Sequence, residues 1–165
     1  MNASIQRRIA VLGIGNIDRG DDAVGVRVAE RLAGRLPPGV ALAVCRGDFL
    51  GLVADWASCD ALICVDAAAP MGAPGRIHRV DAAKDEMPPR PRLASSHAFG
   101  LAEAIALARQ LDGLPISTIV YAVEGRCFDA GRTMTPQVAA AVETVIERVM
   151  TEIGRLNDIE ATTDI

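Results

Sequence analysis

Short apolar runs broken by turn residues organise this chain. The first, Ile9-Ala10-Val11-Leu12-Gly13, ends in glycine and reads as a buried parallel strand. A polar loop over residues 16–22 follows. A helix is then predicted over about residues 23–36, with Val24, Val28 and Leu32 recurring at helical spacing and Arg27, Arg31 and Arg35 on another face. Pro37-Pro38-Gly39 stops it. Residues 40–45 make a second strand and residues 49–56 a short helix. The run 61–65, closed by Asp66, is the third strand.

Two prolines and two glycines mark residues 67–75 as a loop, and residues 76–80 offer a fourth strand. Residues 87–92 are too rich in proline for regular helix. Ser95 or Ser96 can cap a helix over about residues 97–111. A fifth strand covers 117–123. Thr135-Pro136 has the form of an N-cap followed by proline at the first helical position, opening a helix to about residue 153. Val138, Val142, Val145 and Val149 are its apolar stripe.

Strands alternating with helices imply an α/β fold: a three-layer αβα sandwich with a mostly parallel, mixed five-stranded sheet and helices on both faces. Only a loop separates the third and fourth strands, too little for a parallel crossover, so one antiparallel pairing is expected. The 165 residues suit a single domain spanning 1–165, with an ordered core over about 7–154 and a polar tail over 155–165.

Composition narrows the classes. Half of the residues are hydrophobic, yet no run approaches the ~18 apolar residues of a membrane span. The apolar stretch after Arg7-Arg8 is shorter than a secretory core of ~7–15 residues, and Asn16 and Asp18 follow at once. A cytoplasmic protein is expected. Net charge is −4 with dispersed basic residues, and three Phe, one Tyr and one Trp leave little for bases to stack on, which argues against nucleic acid. Cys45, Cys59, Cys64 and Cys127 form no C-x-x-C pair and read as reduced thiols.

Four segments bear on chemistry. Gly13-Ile14-Gly15-Asn16 invites a dinucleotide reading, but the third glycine of that fingerprint is replaced by Asp18, whose charge would repel a phosphate. In Asp18-Arg19-Gly20-Asp21-Asp22, one carboxylate can cap the following helix while its neighbour points across the sheet edge. Asp66 ends an apolar strand, and ligands of parallel sheets bind beyond such ends. His97 opens a helix, where the dipole keeps an imidazole neutral, as a metal ligand must be. His78, mid-strand between Arg76 and Arg79, reads as a surface or packing residue.

Asp22, Asp66 and His97 together would supply two carboxylates and an imidazole from three loops at one sheet edge. Three ligands with open positions suit a reactive metal site. The oxygen and nitrogen donors fit borderline divalent ions, and affinity order favours nickel over iron or cobalt, although spacing does not choose among them. No G-x-S-x-G elbow surrounds any serine, and Cys64 lies within a strand without an adjacent histidine.

Gly13-Ile14-Gly15-Asn16 followed by Asp21-Asp22 and Gly25 resembles the opening motif of the hydrogenase maturation endopeptidases. Val65-Asp66-Ala67 and Ser96-His97 with Gly100-Leu101 resemble that family's second and third ligand motifs. Val123-Glu124-Gly125 and Thr135-Pro136-Gln137-Val138 are similar to its closing segment, so the likeness covers about residues 9–153. The resemblance implies the αβα fold, metal ligands at Asp22, Asp66 and His97, and catalytic roles for Asp22 and Asp66. It further implies an endopeptidase that removes the C-terminal extension of a [NiFe]-hydrogenase large-subunit precursor, the nickel arriving with that partner. A monomer is expected. Many members carry glutamate where this chain has Asp22 and glycine where it has Ala23. The shorter side chain requires the loop to sit closer to the metal. The competing readings are a non-catalytic hydrogenase assembly protein and a nucleotide-binding module.

Overall fold

The computed structural model describes residues 6–89 and 100–159. Its elements are β1 (Ile9–Ile14), a 3-10 turn (Gly20–Ala23), α1 (Val24–Leu32), β2 (Val40–Cys45), α2 (Phe49–Trp56), β3 (Ala61–Ala68), β4 (Ile77–Asp81), α3 (Leu101–Gln110), β5 (Ser117–Glu124) and α4 (Pro136–Asp158). The strands form one five-stranded sheet in the order β2-β1-β3-β5-β4. All pairings are parallel except β4 with β5. The expected antiparallel pairing exists, but the chain passes over β5 to make it instead of folding β4 back on β3.

Strand periodicity divides the core into two layers. Ile63, Val65 and Ala67 of β3 pack with Val24, Val28 and Leu32 of α1 and the Val138–Val142–Val145–Val149 stripe of α4. Leu62 and Cys64 face the other way, onto Phe49, Val53 and Trp56 of α2 and Leu101, Ala104 and Ile105 of α3. Every residue of β3 is buried, as a central parallel strand covered on both faces requires.

Several boundaries differ from the sequence reading. α1 ends at Leu32, not 36, because Ala33 turns extended and Gly34 takes a left-handed conformation ahead of the two prolines. β3 runs on to Ala68 because β5 continues beside it as far as Glu124. α3 begins at Leu101 with Gly100 as its N-cap, and Glu103 Oε2 accepts the Gly100 N–H at 2.8 Å. Ser95 and Ser96 lie outside the described residues. α4 reaches Asp158 because Ile153 and Leu156 prolong its buried stripe.

Candidate functional site

The sheet order sets a switch point. From β1 the chain moves outward to β2, and from β3 it moves the other way toward β4, so the connections leave two adjacent strands in opposite directions. In open α/β sheets the crevice at such a point, beyond the carboxyl ends of the strands, is where ligands bind. Asp22 follows β1 and Asp66 lies near the end of β3. Both are buried.

The two strands end unevenly. The β1–β3 ladder stops at Gly13 opposite Val65, while the β3–β5 ladder continues to Ala68. Asp66 is the first residue past the last β1 pair. Ala61 donates its N–H toward Arg8 on the β1 side, and residues two apart on a strand point alike, so the Ala67 N–H faces the side that β1 has vacated. Asp66 Oδ1 accepts that N–H at 2.9 Å, which both satisfies a buried donor and fixes the carboxylate.

Asp22 is brought to the same edge by glycine. Gly15 has φ +142, and a Cβ there would collide with the Asp22 carbonyl oxygen. A Cβ at Gly25 would meet the carbonyl oxygens of both Ile14 and Val65. The turn carrying Asp22 is thereby pressed onto the ends of β1 and β3, with Asp66 immediately after Val65. Asn16 donates its N–H to Asp22 Oδ2 at 2.9 Å. What requires glycine at position 15 is the close approach of the chain's own backbone.

The adjacent acid does different work. Asp21 is fully buried. Its Oδ2 accepts the N–H groups of Arg126 (2.7 Å) and Cys127 (3.0 Å). Its Oδ1 accepts the Thr135 N–H (2.7 Å), and the Thr135 hydroxyl lies 2.9 Å from both oxygens. The acidic loop is therefore not a solvated turn, and neither acid makes a side-chain cap on α1. Thr135 is the N-cap residue of α4 in position, but its hydroxyl serves Asp21 instead of the helix.

His97 lies outside the described residues. The helix after it, α3, covers the face of β3 that carries Cys64 and, by alternation, Asp66. Its last turn feeds the amino end of β5, so its first turn lies at the carboxyl edge. Among the described residues no group of three His, Cys, Asp or Glu side chains is placed to share an ion. Burial, reinforced by the charge of Asp66, pushes the Cys64 thiol far up, so it is no nucleophile.

From sequence, Asp21 is a candidate helix cap and Glu124 one residue of a family motif; neither is marked as the anchor it is, although Glu124 closes an apolar run, the same signal that singles out Asp66.

The profile of the hydrogenase maturation proteases (HycI) matches residues 26–152. The hydrogenase 2 maturation protease of Escherichia coli (strain K12) is 32% identical over 159 residues, covering 93% of this chain and 94% of its own. Among solved structures, the hydrogenase maturating endopeptidase HybD from E. coli superposes with a TM-score of 0.72 at 29% identity, over 90% of this chain and 93% of its own. The [NiFe] hydrogenase maturation protease HycI from Thermococcus kodakarensis KOD1 does so with 0.69 at 26% identity, over 91% and 94%.

Proposed function

The chain belongs to the hydrogenase maturation protease family, and we propose that it is the endopeptidase that removes the C-terminal extension of a nickel-loaded [NiFe]-hydrogenase large-subunit precursor. The observation that carries this reading is the pair of buried carboxylates, Asp22 and Asp66, at the switch point of the sheet. Both carboxylates are buried beside the carboxyl ends of adjacent strands, and carboxylate oxygens are donors that a borderline divalent ion such as nickel accepts.

The donor chemistry fits. Asp22 and Asp66 each have a carboxylate oxygen oriented by a backbone N–H, at 2.9 Å in both cases, and a carboxylate oxygen accepts more than one partner. His97 is the third ligand in the proposal. Asp22, Asp66 and His97 would hold the nickel, which would supply Lewis-acid activation of a scissile carbonyl or of water. The chain's own residues do the rest. The carboxylates grip the loaded metal centre and so align the tail behind it. One of them takes a proton from the attacking water as the C–O bond forms, and the amide C–N bond then breaks with protonation of the leaving nitrogen. Nickel is cargo of the substrate here, not a resident cofactor.

We infer that it acts as a monomer in the cytoplasm. None of Cys45, Cys59, Cys64 and Cys127 is in a disulfide, which suits a reducing compartment, and among the described residues no helix is long and apolar enough to cross a membrane. The test incubates nickel-loaded and nickel-free precursor with the protein and weighs the products. Loss of one defined C-terminal fragment from the loaded form alone is expected. Binding without any loss of mass would make the chain an assembly protein.

A further inference from the structure

A second polar group shares the face and edge of Asp66. Val80 of β4 and Val120 of β5 belong to the layer under α2 and α3, so alternation puts His78, Ala122 and Glu124 on that face as well. Asp66 lies opposite Ala122, and Ala122 opposite His78, which makes one row across β3, β5 and β4. With strands ~5 Å apart, His78 stands about 10 Å from Asp66 across a single alanine.

Glu124 is one pleat further out and almost wholly buried. Its Oε1 accepts the N–H groups of Met71 and Ala73, both at 2.6 Å. Its carbonyl accepts the Gly75 N–H and its own N–H donates to the Arg76 carbonyl. These four bonds fix the loop over residues 69–76, which leaves β3 at Ala68, two residues beyond Asp66. From 69 to 75 the loop carries no charge, and Met71 is 45% exposed. Oε2 of Glu124 faces His78 Nε2 at 3.9 Å, too far for a hydrogen bond. That nitrogen is the one buried side-chain polar atom among the described residues with no hydrogen-bond partner. A buried nitrogen without a hydrogen-bond partner costs stability, so His78 contributes little to holding the fold through that atom.

We propose that Glu124, seconded by His78, is a positioning residue of the cleavage site, holding loop 69–76 as an apolar strap for the C-terminal segment of the precursor. This rests on the processing role above. A peptide whose scissile bond reaches Asp66 comes within range of Met71, and Glu124 acts on it through the loop without touching the reacting atoms. Its loss therefore acts on substrate binding and spares the chemistry.

Steady-state cleavage of nickel-loaded precursor by wild type, Glu124→Ala, Glu124→Gln and His78→Leu tests this, with a thermal midpoint for each. Glu124→Ala is expected to raise KM about tenfold with kcat within about twofold. Glu124→Gln keeps an amide oxygen for the two loop N–H groups and should raise KM less than about threefold. His78→Leu removes the unsatisfied nitrogen, so its midpoint should be unchanged or higher while KM still rises. Unchanged KM in all three variants, whatever their midpoints, reduces the pair to a structural role and overturns the proposal. Should Glu124→Ala fail to fold, His78→Leu decides, an unchanged KM in that variant overturning the proposal. A wild-type protein that leaves the precursor intact sinks the processing role itself, and this proposal with it.

Discussion

Replacing Asp21 should unfold the protein more readily than replacing Asp22, although the two acids are neighbours. In Asp21→Ala, three backbone N–H groups, of Arg126, Cys127 and Thr135, and the Thr135 hydroxyl lose their acceptor at once. A buried donor left unsatisfied costs about 1–3 kcal/mol, and water entering the space left by the carboxylate relieves part of that, so a loss of ~4–6 kcal/mol is expected. That is a large share of the ~5–15 kcal/mol that holds a typical domain together. For a chain of this length it corresponds to a fall in thermal midpoint on the order of 10–20 °C. Asp22→Asn keeps a side-chain oxygen for the Asn16 N–H and should stay within about 1 kcal/mol of wild type. Urea titrations followed by circular dichroism read both. A loss below about 1 kcal/mol for Asp21→Ala, or a larger loss for Asp22→Asn, would refute the division of labour between the two acids.

Gly15→Ala combines a positive φ with a collision against the Asp22 carbonyl, so it should destabilise by about 2 kcal/mol or more and slow cleavage by displacing Asp22; a neutral result in both assays would show that the turn is not tightly held. His97→Ala should weaken calorimetric nickel binding at least about tenfold, or ~1.4 kcal/mol, and unchanged affinity would remove His97 from the ligand set. The Arg79 guanidinium, bonded to Glu152 through two 2.9 Å contacts, holds that carboxyl below its ordinary value, against the opposing effect of burial. A depressed folded-state pKa stabilises above the unfolded value of 4.5 and is lost as pH falls through the folded value, so acid unfolding of Glu152→Gln should show a shallower pH slope there than wild type. Identical slopes would contradict the pairing. On the same face Tyr121 is pushed up to about 12, chiefly by burial, so its contribution is present below the unfolded value of 10.0 and declines as pH rises toward 12.

Much of the layered fold was legible because the strands are continuous apolar runs and the helices carry apolar stripes. The order of strands was not, since pairing β4 with β5 instead of β3 is decided by contacts distant in sequence. Asp66 was identified from its place after an apolar run, yet Ala67 and Ala68 continue the strand; small apolar residues look the same in a loop as in a buried edge. Asp21 and Asp22 were indistinguishable by type and position. Only the folding of residues 126–135 onto Asp21 separates that anchored acid from Asp22. Thr135 had every local feature of a capping residue, and a tertiary carboxylate took its hydroxyl. Glu124 ends an apolar run, but its anchoring role is invisible in the sequence because its partners, Met71 and Ala73, lie some fifty residues away.

The most direct test of the whole account compares the cleavage rate of nickel-loaded precursor by wild type, Asp22→Asn and Asp66→Asn at equal folded fraction, read as loss of mass over time. With either carboxylate gone, a rate at least about a hundredfold slower is expected, in proteins that remain folded. Release of the tail at the wild-type rate by either variant would contradict the assignment of this chemistry to the carboxyl edge of β1 and β3.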